Sequence, residues 1–302
     1  PDRSGVDLRQ YYTPGMTGLV ATTMATTRGC PQGCKFCLST SAFSTRTPED
    51  VVNEMEHCLG MGIQEVQFVD DIFNAPASRV IAISDEILRR GLKMAWGYKA
   101  TVHATTYESL ERARLAGCTK GHFGVETGTE EGLASLGKTF VKLEHVRQVF
   151  KWCRELDLTS CAYIMIGTPV ERSRDDIQRT IDFVNELDPD YVVYAITSPY
   201  PHTPLWKEGA RLGLWDENVW ADFMRNPTPE AAARIPTVWT QHMSKDELLR
   251  IFKQVNRQFY FSPRKIARTL ARVTNLNEVK RIAQGGWAIA RLQLMNAAGR
   301  RI

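Results

Sequence analysis

A chain of 302 residues, 43% hydrophobic and 24% charged, has the composition of an ordinary globular protein and can bury a large core, so one big domain or a domain with an appendage is expected. No apolar run approaches the roughly 20 residues of a membrane span and no charged-then-apolar leader opens the sequence, so the expected location is the cytoplasm. The net charge of +4 is uneven: from Ser262 to Ile302 nine basic side chains face Glu278 alone, which reads either as a solvated basic helix surface or as the footprint of an anionic partner.

The opening "PDRSGVDLRQYYTPGMTG" reads as a linker entering a domain, and the chain as a fragment of a longer protein. From Leu19 to Ile196 short β-rich runs alternate with amphipathic helical stretches, the pattern of a parallel sheet wrapped by helices. The expected strands are 20–26, 65–70, 94–102, 119–125, 160–166 and 191–197. Thr47 caps the first helix, with Pro48 at its first position and Val51, Val52, Met55 and Leu59 on one face. Leu143, Val146, Phe150 and Cys153 fall at helical spacing, and Ser173 opens a helix that buries Ile177, Ile181 and Val184. After "SPYPHTPLW" the β-rich runs stop, which places a boundary near Pro199 and leaves mainly helical patterns behind it.

The chemistry concentrates in "RGCPQGCKFC", just after the first expected strand. Cys30, Cys34 and Cys37 follow a CxxxCxxC spacing, and Gly29, Pro31 and Gly33 favour an irregular path over a helix, so three sulfurs can converge. Seven cysteines do not make an even-numbered disulfide framework, and a reducing compartment with a metal site fits better. Thiolates suit zinc or an iron–sulfur cluster. Zinc calls for a fourth ligand and no second pair follows, whereas a 4Fe–4S cube on three cysteines keeps one iron open; three structural cysteines are the plain alternative.

This signature, with the aromatic Phe36 before the third cysteine, resembles that of the radical S-adenosylmethionine enzymes. The blocks "STRTPEDVVNEM", "VQFVDDIF", "LERARLAGC", "HFGVETGT", "IMIGTPVE", "SPYPHTPLW" and "QFYFSPRKIARTL" resemble the subgroup that carries an N-terminal cobalamin-binding domain. That subgroup is similar to the anaerobic magnesium-protoporphyrin monomethyl ester cyclase, hopanoid-modifying enzymes and cobalamin-dependent C-methyltransferases. "PDR" and "YY" are similar to the linker that follows the cobalamin domain, which is then expected to lie outside this chain. The resemblance implies a 4Fe–4S cluster whose open iron is chelated by S-adenosylmethionine, cleaved to methionine and a 5'-deoxyadenosyl radical that abstracts hydrogen from an unactivated carbon.

The same resemblance assigns further residues, each with a plainer alternative. Asp70 or Asp71 in "FVDD" is expected at the methionine amino group, against a capping or turn carboxylate. Glu126, ending the fourth strand, is expected to face the barrel mouth and meet ribose hydroxyls or the amino group, against a structural ion pair. Gly167 is expected to allow close approach of the adenosyl moiety. Ile196, in "YAITS", is expected to offer a backbone edge to adenine, against a plain buried strand. The family usually has Glu-Thr near Val170, Glu171 and Arg172, and glycine and tyrosine where this chain has His202 and Trp206. His202 is a substrate or proton-transfer candidate or a surface turn, and Lys138 matches a lysine common in the family. Trp215, Trp220, Phe223 and Trp239 line a substrate pocket or pack a core.

The expected fold is α/β: a partial (β/α)6 TIM-like barrel over residues 19–198, after a linker (1–18) and before a helical C-terminal region with a basic tail (199–302). The expected activity is C–H functionalisation, by cobalamin-dependent methyl transfer or by cobalamin-independent cyclisation, oxidation or adenosyl transfer. A small-molecule, lipid, tetrapyrrole or peptide substrate and a reductant such as flavodoxin or ferredoxin are the implied partners; nucleic acid is not expected. A non-catalytic zinc-binding or nucleic-acid-binding protein is the rival of another class, and an iron–sulfur electron carrier the third reading.

Overall fold

The structure, a computed structural model, describes residues 2–3, 5–7, 20–39 and 42–271. Most of the expected linker, and the basic tail beyond residue 271, lie outside the described residues.

Six strands form one sheet: β1 (Ala21–Met24), β4 (Glu65–Phe68), β5 (Ala95–Thr101), β6 (Cys118–Glu126), β7 (Thr159–Ile166) and β8 (Tyr191–Ile196). They pair in parallel in that order, with no reversal along the sheet. Helix-bearing crossovers join successive neighbours, and the sheet curls into a half-barrel with helices around it. The crossovers hold α1 (Pro48–Gly60), α2 (Ala77–Arg89), α3 (Tyr107–Leu115), α4 (Glu130–Ser135), α5 (Leu143–Glu155) and α6 (Arg174–Leu187).

The helices start where the sequence placed their caps. Thr47 accepts the Asp50 N–H at 3.2 Å at the head of α1, and Ser173 with Asp176 forms a capping box at the head of α6. Val51, Val52, Met55 and Cys58 of α1 and Val146, Val149, Phe150 and Cys153 of α5 are buried against the outer face of the sheet. That face carries Val66 and Phe68, Trp96 and Tyr98, Phe123 and Val125, and Ile164 and Ile166, the alternate residues of each strand.

The first two strands of the sheet, β1 and β4, each end two residues before the expected position, for one reason. The Asp70 carboxylate takes the N–H groups of Thr26 and Thr27, both at 2.6 Å, and the Thr26 hydroxyl at 2.8 Å, so these groups leave the ladder after Met24. The chain then forms a ribbon the sequence does not announce, in which β2 (Thr27–Arg28) pairs antiparallel with β3 (Ser44–Thr45).

After β8 come α7 (Pro204–Arg211), α8 (Val219–Arg225), α9 (Pro229–Ala233), α10 (Lys245–Tyr260) and α11 (Pro263–Ala271). Helix α10 buries Leu248, Ile251, Val255 and Phe259 in the main core, and its Tyr260 hydroxyl donates to the Val192 carbonyl of β8 at 2.5 Å. Trp206, Trp215 and Trp239 form a second core with Leu205 and Val219, so Trp215 and Trp239 pack rather than line a pocket; Trp220 is half-buried against them. Three tail cations, Arg264, Lys265 and Arg268, converge on Asp188, so this part of the basic excess is answered within the chain. No helix among the described residues is long and apolar enough to cross a membrane.

Candidate active site

The cysteine loop leaves β2 at Gly29, whose φ of 76° only glycine adopts without strain. It is tied down at three points: the Lys35 N–H donates to the Leu136 carbonyl at 3.0 Å, the Lys35 carbonyl accepts from Leu205 N–H at 2.9 Å, and Ser39 Oγ donates to Asp71 at 2.7 Å. Within it Cys37 N–H turns back to the Cys34 carbonyl at 3.2 Å. The segments after β4 and α4 and the head of α7 therefore share in shaping the loop.

Cys30, Cys34, Phe36 and Cys37 line one cleft of about 390 Å³. Its other walls are Asp71 and Ile72 after β4, Thr101 and Glu126 at the ends of β5 and β6, and Met165 and Ile196 near the ends of β7 and β8. The cleft thus sits at the carboxyl ends of the strands, where barrel folds place their chemistry. Burial pushes the Cys30 thiol up and the Cys34 thiol up to about 11, with Lys138 opposing the second shift. Cys34 is a thiol at neutral pH until a metal-borne positive charge draws its proton off.

Of the residues expected in this site, the three cysteines, Phe36, Asp71, Glu126 and Ile196 line the cleft, and Asp70 and Gly167 do not. Asp70 is 1% exposed and spent on Thr26 and Thr27, as a turn carboxylate is. The close approach at Gly167, with φ 70°, is by Leu248 of α10, which would stand 2.7 Å from an added Cβ. The loop after it is held by Glu171, whose carboxylate accepts the Thr168 N–H at 2.8 Å, so the departure from the family pattern leaves a closed turn. His202 has φ 66° in the turn before α7 and lies off the cleft wall.

Glu126 is both the mouth carboxylate and half of an ion pair: Lys138 Nζ stands 2.8 Å from its Oε1. Sequence reading missed a further part of the lining, where Lys99, His122 and Tyr163 project from β5, β6 and β7. Each lies inside an expected strand, and that was the available signal: a charged or polar side chain on the strand phase that does not pack against helices. Below them Lys120 reaches across Gly97 to Glu65 at 2.8 Å, both buried.

The donor set decides what the loop can hold. The remaining cysteines, Cys58, Cys118, Cys153 and Cys161, are buried and off the cleft wall, so no fourth thiol joins the three. Among the described residues no three His, Cys, Asp or Glu side chains stand close enough together to grip one metal ion. Three thiols in one cleft with no fourth beside them are the donor set of a 4Fe–4S cube that keeps one iron open.

The profile of the Radical SAM superfamily matches residues 24–184. The chain is similar to an uncharacterized methyltransferase of Pyrococcus horikoshii, 28% identical over 244 residues that cover 79% of this chain and 51% of that protein. It is similar to the anaerobic magnesium-protoporphyrin IX monomethyl ester cyclase of Cereibacter sphaeroides, 26% identical over 217 residues, 69% of this chain and 35% of the other. Among solved structures its fold resembles the cobalamin-dependent S-adenosylmethionine radical enzyme OxsB with aqua-cobalamin and S-adenosylmethionine bound, with TM-score 0.62 and 17% identity over 87% of this chain and 45% of that one. The chain spans about half or less of the length of the curated relatives it matches first.

Proposed function

This chain belongs to the radical S-adenosylmethionine superfamily, whose members use a 4Fe–4S cluster and S-adenosylmethionine, and on that premise we propose that Cys30, Cys34 and Cys37 hold the cluster at the mouth of the cleft. When bound, that group supplies the electron that cleaves the sulfonium of S-adenosylmethionine. The residues of the chain do the positioning. Asp71 and Glu126 offer carboxylate oxygens at the rim to an ammonium or to hydroxyls, and Lys138 fixes Glu126 in place. Phe36 packs against the tryptophan core and keeps water from one side of the loop. Ile196 closes the β8 side. The observation that carries the reading is that the three motif cysteines share one cleft at the strand ends with no fourth thiol.

Methyl transfer with cobalamin held outside this chain is the finer reading. It is supported by the opening stretch, which resembles a cobalamin-domain linker, and by relatives named as methyltransferases. Arg3 of that stretch already docks on the barrel, 2.6 Å from Glu54 of α1. A cytoplasmic setting with a flavodoxin- or ferredoxin-type reductant suits seven free cysteines. The test is anaerobic reconstitution with iron and sulfide, reduction with dithionite and assay of 5'-deoxyadenosine and S-adenosylhomocysteine, with and without methylcobalamin. 5'-Deoxyadenosine is expected, and S-adenosylhomocysteine only with cobalamin; absence of 5'-deoxyadenosine would refute the proposal, and 5'-deoxyadenosine without S-adenosylhomocysteine in a protein that carries the cobalamin-binding domain would refute methyl transfer.

A further inference from the structure

Among the described residues Lys99 and Lys138 line the cleft and Lys120 lies buried on β6, and two of these three are neutralised. Lys120 is paired with Glu65 and Lys138 with Glu126, each at 2.8 Å. Lys99 lines the cleft half-buried and makes no ion pair or hydrogen bond through its ammonium group among the described residues. An unpaired ammonium on a cleft wall has lost part of its hydration and gained nothing for it from the protein.

Its neighbours give it company of one kind. Lys99 and His122 are opposite one another in the β5–β6 ladder, and His122 Nδ1 lies 3.3 Å from the Tyr163 hydroxyl. Burial, with Lys120 and Lys99, pushes His122 down to about 4, so the imidazole is neutral at physiological pH. Whichever tautomer it adopts, the pair keeps one donor to spare. If Tyr163 donates to Nδ1, the other ring nitrogen carries a proton; if Nδ1 donates, the phenol proton is free. The wall therefore presents a cation and at least one neutral donor, and the Glu126 carboxylate, which acts on Tyr163 from the same cleft, is already paired with Lys138.

The wall shares one cleft with the cysteines, and the Glu126 carboxylate acts on both Cys34 and Tyr163. The lysine whose charge acts on Cys30 and Cys34 is Lys138, while Lys99 acts on His122. Next to Tyr163 in the ladder lies Val193, which is 44% exposed on the open edge of the half-barrel. An apolar strip thus adjoins the cationic wall.

We propose that Lys99, with His122 and Tyr163, is an anion subsite that takes a carboxylate or phosphoryl group of the substrate, whose apolar body lies along the β8 edge. This rests on reading the cleft as the active site. The substrate class is then an amphiphilic organic acid or phosphoryl compound, and a neutral hydrocarbon is excluded.

The test is an NMR titration of the 302-residue protein, labelled with 15N in its lysine and histidine side chains, with inorganic phosphate and with acetate at constant ionic strength, and with glycerol as the neutral control. Lys99 and His122 signals are expected to shift saturably with one or both anions and not with glycerol. The tighter anion assigns the group as phosphoryl or carboxylate. Lys99→Met is expected to weaken binding about tenfold, through loss of a charge-assisted hydrogen bond, and Lys99→Arg by no more than about threefold. Absent or unsaturable shifts, shifts shared with glycerol, or equal affinity in Lys99→Met would overturn the proposal. The signals of the unsubstituted protein are read first, so the test survives a variant that fails to fold. It is run before iron is added, so a saturable anion shift stands even if no cluster assembles, and a cluster that assembles without an anion shift sinks this proposal alone.

Discussion

Lys138 Nζ stands 2.8 Å from Glu126 Oε1 and 3.0 Å from the Gly124 carbonyl, closing over the end of β6 at a strand residue whose φ is 69°. A Cβ on Gly124 would lie 2.7 Å from that same carboxylate oxygen, so the glycine makes room for the pair. A non-glycine residue in this backbone region costs about 1 to 2 kcal/mol, and the buried ion pair is what holds it there.

Lys138→Met leaves the Glu126 carboxylate buried without its cation. A stability loss of about 3 kcal/mol is expected by denaturant unfolding, and adding Glu126→Gln should recover a large part of it. A loss below about 1 kcal/mol would mean the pair is solvated.

The adjacent aspartates separate in the same way. Asp70 accepts three hydrogen bonds from Thr26 and Thr27, so Asp70→Ala is expected to cost about 3 kcal/mol. Asp71 is exposed and bonds Ser39, so Asp71→Ala should cost under about 0.5 kcal/mol while weakening S-adenosylmethionine binding to the reconstituted protein. Paired thermal melts and binding isotherms check both, and reversed effects would exchange the two roles.

Much of this site was legible because its signal is local. CxxxCxxC in a Gly- and Pro-rich loop, the Thr47 and Ser173 caps and the alternation of runs all lie within short windows. Asp70 and Asp71 could not be ranked, because neighbours leave a strand in opposite directions and only the tertiary fold says which way is in. Lys99, His122 and Tyr163 are far apart in sequence and meet only through the parallel register. Lys138 and Glu126 were both marked by the resemblance, but not as each other's partners. Two-residue strands such as β2 and β3 are too short to show a period.

Gly97 is the space Lys120 uses to reach Glu65: an added Cβ would lie 2.5 Å from Lys120 Cγ. Gly97→Ala is expected to lower stability by about 2 kcal/mol. Gly60→Ala at the end of α1, where an added Cβ meets nothing within 4 Å, should be neutral or slightly stabilising. Equal melting temperatures for the two variants would contradict the packing seen at Gly97.

His122, held down to about 4, makes the fold acid-sensitive. Its folded pKa is below the ordinary histidine value of about 6.5, so as pH falls through that value the unfolded chain takes a proton the folded one refuses. This contribution is fully present above about pH 6.5 and shrinks toward pH 4. It should amount to a loss of about 2 kcal/mol between pH 7 and pH 5. Comparing denaturant midpoints of the unsubstituted protein and His122→Asn at the two pH values isolates it; an equal loss in both would assign the acid sensitivity elsewhere.

The most direct measurement is electron paramagnetic resonance of the reconstituted, dithionite-reduced protein with and without S-adenosylmethionine, alongside Cys34→Ala and Cys58→Ala. The expected result is a reduced 4Fe–4S signal that changes when S-adenosylmethionine is added, is lost in Cys34→Ala and is kept in Cys58→Ala. A colourless, zinc-loaded protein, or a cluster signal indifferent to S-adenosylmethionine or to Cys34, would contradict the assignment of these three cysteines.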